Sequence, residues 1–143
     1  MDSVDLQIIE MLKSNSRSTS SEISKAIHLS VPSVSERIRK LEEKGLIEQF
    51  TLRLSREITG RHLLAYISVI LEHPQYIESF KEQICAEPSI MECHHLAGEY
   101  DYLLKVGVPD ISMLERFISE TLKGLAGVQK TKTTIVLSTL KEE

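Results

Sequence analysis

The chain has 143 residues, 41% hydrophobic and 27% charged, which is ordinary for a globular protein and allows one domain or two small ones. No apolar run approaches the roughly 18 residues of a membrane-spanning helix, and the polar, acidic start MDSVDLQ does not read as a secretory signal. Two cysteines, Cys85 and Cys93, make no disulfide framework, so a reduced cytoplasmic setting is expected. The net charge of −4 hides an asymmetry: residues 1–56 carry nine Lys/Arg against eight Asp/Glu, and residues 57–143 eight against thirteen.

Along the chain, Asp2 or Ser3 can cap a first helix over residues 2–13. Asp5 favours its positive end, and Ile8, Ile9 and Leu12 supply an apolar face. Ser14 to Ser18 is a polar break. Thr19 followed by Glu22 is a capping box, in which each side chain serves the other's backbone amide at a helix start. Ile23, Ala26 and Ile27 repeat at helical spacing, His28 and Leu29 make a tight turn, and Ser30 caps a third helix that tolerates Pro32 in its first turn. In that helix Val31, Val34, Ile38 and Leu41 form one stripe. The opposite face carries Pro32, Ser33, Glu36, Arg39, Lys40 and Glu43, with Ser35 and Arg37 on the flanks. Gly45 ends the helix, and residues 47–54 alternate as a wing strand should.

This pattern predicts a winged helix-turn-helix over 1–54 with a core of Leu6, Ile9, Leu12, Ile23, Ile27, Leu29, Val34, Ile38, Leu41 and Ile47. Such a motif enters the DNA major groove by the N-terminal half of its second helix. The candidate DNA contacts are therefore Ser30, Pro32, Ser33, Ser35, Glu36, Arg37, Arg39, Lys40 and Arg53, with an arginine reading base edges and the surrounding basic residues meeting phosphate. The plainer alternative is a solvated charged face on a common αα-hairpin. The basic footprint is modest, so one copy should bind DNA weakly and a dimer or larger assembly would be needed.

Ser55 to Gly60 reads as a linker, and residues 61–143 follow a different grammar. Arg61 to Glu72 is β-rich and almost continuously apolar, as in a central strand. Pro74 to Ala86 is helical, with Tyr76, Ile77, Phe80 and Ile84 on one side. Ile90 to Ala97 and Asp101 to Val108 alternate around a turn at Gly98–Tyr100, which is a hairpin. Pro109 and Asp110 start a second helix, and Val128 to Leu140 is a long final strand beyond Gly124 and Gly127. The order β-α-β-β-α-β predicts an α+β, ferredoxin-like domain: two helices on one face of a four-stranded antiparallel sheet. The other face should carry apolar residues that one chain cannot cover, so dimerisation through the sheet is expected.

Three stretches, DLQIIEMLKSNSRST, LSVPSVSERIRKLEEKGLIEQFT and AGEYDYLLKV followed by VPD, make the chain resemble the Lrp/AsnC (leucine-responsive, feast/famine) regulators over nearly its whole length. His28 departs from the pattern where such turns commonly have Gly; a histidine tolerates the left-handed conformation better than most residues. The resemblance implies a cytoplasmic, nucleoid-associated transcription regulator that dimerises, often to octamers, on palindromic double-stranded DNA half-sites. It also implies an amino-acid effector held between dimers. The matching effector positions are Gly98, Glu99, Tyr100 and Asp101 in the turn, Val108, Pro109 and Asp110 at the helix start, and Thr134, Ile135 and Val136 on the last strand. Turn and helix-start amides suit an α-carboxylate, and Asp101, Asp110 or Glu99 an α-ammonium. Each has a structural alternative: Gly98 serving only the turn, Asp110 only the cap, Tyr100 only packing.

No nucleophile motif, phosphate loop or paired inward carboxylate stands out, no cofactor is indicated, and the adjacent histidines His94 and His95 point to opposite faces of a strand, which disfavours metal chelation. Two further readings remain. Haem-precursor decarboxylases share the architecture and would draw on His62, His94 and His95; an effector-independent architectural DNA-binding protein is the other.

Overall fold

In a computed structural model, which describes residues 1–142, the chain divides into two compact units, Met1–Arg53 and Leu54–Glu143. The first is built from α1 (Ser3–Ser14), α2 (Ser20–Ile27) and α3 (Val31–Glu43). Every one of these helices is capped by its own sequence. Asp2 and Asp5 make a reciprocal box at the start of α1, Thr19 and Glu22 a second at α2, and the Ser30 hydroxyl accepts from the Ser33 N–H at 3.3 Å. His28 sits at φ 56, ψ 41, the left-handed elbow expected of it. Gly45, at φ 68, closes α3 with its N–H on the Glu42 carbonyl.

Ile8, Leu12, Ile23, Val34 and Leu41 are buried together at the centre of the unit. Ile9, Ile27, Leu29, Ile38 and Ile47 pack around them half-buried. Three sequence expectations need correction. Leu6 is 49% exposed and Ile8, absent from the expected core, is fully buried. The stripe facing the other helices is Val4, Ile8 and Leu12, and Leu6 lies about 200° around the helix from Ile8. Val31, at the first helical position, is likewise exposed. The strand expected over 47–54 does not form, because no second strand within the unit offers it a hydrogen-bonding ladder. Leu46, Phe50 and Leu52 stand exposed along that stretch.

The second unit is the four-stranded antiparallel sheet of the βαββαβ, ferredoxin-like order: β1 (Leu63–Leu71), α4 (Ile77–Ala86) after a 3-10 turn at Pro74–Tyr76, β2 (Ile90–His95), β3 (Tyr102–Val108), α5 (Ile111–Arg116) running on into a π-helical turn (Phe117–Leu122), and β4 (Val128–Ile135). The strands lie β2-β3-β1-β4. Ala65, Ile67 and Val69 of β1 and Tyr102, Leu104, Val106 and Val108 of β3 face Phe80, Ile84, Leu114, Phe117 and Leu122 of the helices. Residues 55–60, read as the linker, fold into a tight turn, with the Arg61 N–H on the Arg56 carbonyl at 2.8 Å. The last strand ends at Ile135, short of the expected Leu140, because its partner β1 ends there: Ala65 pairs with Ile135, and Leu64 takes the final bond from Val136. The helix-free face is less apolar than expected. Leu64, Tyr66, Ile70 and Leu103 share it with Lys105, which is 7% exposed and bonded to Glu92 at 3.0 Å and Glu142 at 2.8 Å. Those carboxylates, Glu142 foremost, hold its ammonium pKa above the ordinary lysine value despite burial.

Candidate functional site

The outward face of α3 begins at its capped N-terminus. Val34 and Leu41 point inward, while Pro32, Ser33, Ser35, Glu36, Arg39 and Lys40 are exposed. Ser30 and Ser33 share a 2.7 Å hydroxyl contact, and Ser35 donates to Ser20 of α2 at 3.0 Å, which fixes the elbow. Arg39 is bidentate to Glu36 (2.7 and 2.9 Å) and also pairs with Glu43, while Lys40 lies 3.5 Å from Glu36. Arg39 draws the Glu36 carboxyl down to about 2. Arg53 is exposed at the end of the unit.

Arg37 stands apart from this group. Its guanidinium turns toward α1 and bonds Asp5 at 2.7 Å and Asp2 at 2.9 Å. Both carboxyls are held below their ordinary pKa, first by each other's backbone N–H and then by Arg37. The Asp2–Asp5 capping box is thus a three-group cluster that ties α1 to α3. Separations of 32 and 35 residues hide such a contact from any local sequence pattern.

In the second unit the positions singled out for an effector fall into two groups. Gly98, Glu99, Tyr100 and Asp101 form the turn between β2 and β3. Asp101 is pinned there: its N–H bonds Val69 O and its Oδ2 accepts from Leu71 N–H, both at 2.9 Å. The Lys130 ammonium lies 5.8 Å from the Tyr100 ring centroid. Gly98 has no positive φ, and a Cβ there would meet nothing, so neither backbone conformation nor packing demands a glycine. Val108, Pro109 and Asp110 lie at the other end of β3, where Asp110 caps α5 through Met113 N–H at 2.8 Å. Thr134, Ile135 and Val136 lie at that same end of the sheet, across β1. At about 3.3 Å per residue, the seven residues of β3 hold the two groups roughly 20 Å apart within one chain.

The histidines do not converge. His94 faces the helix-free side and bonds Glu92 at 3.1 Å, His95 faces the helices, and His62 precedes β1 beside Arg56. Among the described residues no group of three His, Cys, Asp or Glu side chains is placed to hold a metal ion. What the sequence reading missed is the surrounding of Tyr102, whose ring stacks on His95 across the β2–β3 hairpin at 4.9 Å. The hairpin register, which pairs these two positions, was the available signal.

Comparison with known proteins agrees with this architecture. Residues 64–143 match the Lrp/AsnC ligand binding domain, and residues 1–48 match a winged helix-turn-helix DNA-binding domain. The chain is 34% identical over 144 aligned positions to the leucine-responsive regulatory protein of Escherichia coli K12, covering 99% of this chain and 88% of that protein. Among solved structures, a transcriptional regulator from Neisseria meningitidis in complex with L-Met superposes with a TM-score of 0.94 at 31% identity, covering 99% of this chain and 93% of that one. LrpC of Bacillus subtilis gives 0.89 at 34% identity, over 100% and 99% of the two chains.

Proposed function

Because the chain belongs to the Lrp/AsnC family of DNA-binding transcription regulators, we propose that it reads duplex DNA with the exposed face of α3 and adjusts its self-association through a small amino acid. Pro32, Ser33 and Ser35 reach base edges from the capped end of α3, and Arg39, Lys40 and Arg53 meet phosphate. Two copies place their recognition helices on half-sites about one helical turn, roughly 34–36 Å, apart. The regulator works at the nucleoid through binding and assembly equilibria and needs no catalytic step.

The observation that carries the effector reading is the separation along β3. The turn Gly98–Asp101 and the Val108–Asp110 and Thr134–Val136 group sit at opposite ends of one sheet. A ligand touching both must therefore lie between copies, as an effector between dimers would. The N. meningitidis relative is a complex with L-Met, which supports an amino acid as the ligand class. Such a ligand shifts assembly only as far as it binds one state more tightly than another. Solution mass measured by light scattering, with and without each free L-amino acid, tests the proposal. At least one amino acid should change the mean mass; identical masses across the set would refute an effector that acts between copies.

A further inference from the structure

Beside Asp101, a cavity of about 160 Å³ opens between the start of α4 and the end of the β2–β3 hairpin. Leu71, Pro74 and Ile77 form its apolar wall, and His73, His95, Asp101 and Tyr102 line the rest. Tyr102 is 3% exposed, and its hydroxyl is buried with no hydrogen-bond partner. Folded proteins rarely leave a buried polar atom in that state. His95 lies nearly parallel against the Tyr102 ring, with planes 20° apart. The Nδ1 of His73 accepts from Gln75 N–H at 3.1 Å, so the proton of the neutral ring is on Nε2. Asp101 uses Oδ2 for Leu71 N–H and keeps Oδ1 as an acceptor.

The cavity, equal in volume to about five waters at roughly 30 Å³ each, is therefore lined by a tyrosine whose buried hydroxyl lacks a partner and by two histidines. One acceptor, on Asp101, stands at its edge beside the turn assigned to the effector. We infer that this cavity receives the effector's side chain and selects an amino acid whose side chain ends in a carbonyl-type oxygen, a carboxamide or a carboxylate, over aliphatic ones. The inference rests on the amino-acid effector reading above. An aliphatic side chain would fill the space against Leu71, Pro74 and Ile77 but leave the Tyr102 hydroxyl unpartnered. A site built around a buried hydrogen-bonding group discriminates strongly against ligands that lack its complement.

Isothermal titration of the full chain with L-asparagine, L-glutamine, L-aspartate, L-glutamate and L-leucine, for the wild type and Tyr102→Phe, tests this. The substitution removes one oxygen that bonds nothing in the fold, so the variant retains its structure. At least one oxygen-bearing amino acid should bind about tenfold or more tightly than leucine, and Tyr102→Phe should cost that ligand roughly tenfold while leaving leucine unchanged. The amide and acid arms identify which oxygen the donors prefer. Leucine binding as tightly as the others, or a preference that survives Tyr102→Phe, overturns the inference. Binding of leucine alone, or of none of the five, would sink it while leaving the effector reading to the light-scattering test across all L-amino acids.

Discussion

Removing the two cations on the outer face of α3 gives the sharpest test of how this chain meets DNA. Arg39 and Lys40 are both about half exposed and both ion-paired to Glu36, with Arg39 also paired to Glu43. Exposed pairs of this kind contribute roughly 0–1 kcal/mol, so trading them for phosphate costs little and the double substitution Arg39→Ala, Lys40→Ala leaves the fold intact. Each phosphate neutralised on B-DNA contributes about −0.9 to the slope of log K against log salt. Losing two should flatten that slope by about 1.8 per half-site and about 3.6 for a pair. Between 50 and 200 mM salt the wild type should then lose roughly a hundredfold more affinity than the variant when two copies engage, or about tenfold for one. Fluorescence anisotropy of a labelled duplex, titrated at four salt concentrations, reads this directly. Arg37→Ala is the control: its guanidinium is committed to Asp2 and Asp5, so the slope should hold while the melting temperature falls. Equal slopes for wild type and double variant, or a slope change in Arg37→Ala alone, would refute the assignment of the reading face.

Three further outcomes follow from the geometry. Gly127 has φ +85, and a Cβ there would lie 2.2 Å from Cγ of Tyr76 and 2.5 Å from its Cβ, too near the backbone for a rotamer change to relieve. Gly127→Ala should cost at least about 3 kcal/mol and lower the melting temperature of the second unit by about 12 °C or more, a shift that thermal unfolding followed by circular dichroism would miss only if the premise were wrong. A Cβ at position 98 would meet no atom within 4 Å, so Gly98→Val should melt like the wild type yet abolish the mass change caused by an effector; a retained response would count against a ligand at that turn. Acid should loosen the first unit. The depressed pKa values of Asp2 and Asp5 mean that their stabilisation is complete above the unfolded value near 4 and drains away as pH falls through the folded values. Arg37→Ala should weaken this acid dependence, as amide exchange in α1 between pH 5 and 2 would reveal.

Much of the fold could be read in advance because its signals are local. Thr19 with Glu22, Ser30 before Pro32, and the apolar spacing of Val34 and Leu41 each act within one or two turns, and each is realised. His28 was legible for the same reason, since the elbow's backbone demand falls on one residue. What escaped depends on partners far along the chain. The alternation of residues 47–54 is a necessary condition for a strand, but a ladder also needs a second edge, and none is supplied within the unit. The end of β4 is set by the length of β1, and the turn of Arg37 toward α1 by two acids more than thirty residues away. At the candidate effector positions the residue types could be matched, yet their division between opposite ends of one strand emerges only from the sheet register. The Tyr102 hydroxyl is legible only in three dimensions, because an unmet hydrogen bond leaves no mark on a string of letters.

The charge arrangement on α3 also bears on how such a protein searches a chromosome. Genomes offer on the order of a million or more competing stretches of duplex, and a strongly cationic helix would be held up on all of them. Here the two outward cations are already engaged by their own helix, and the first 56 residues carry a net +1. A lone copy is therefore expected to leave irrelevant duplex quickly. On the assembly proposed above, longer residence is expected where several copies land side by side, with promoter occupancy rising steeply with the amount of protein.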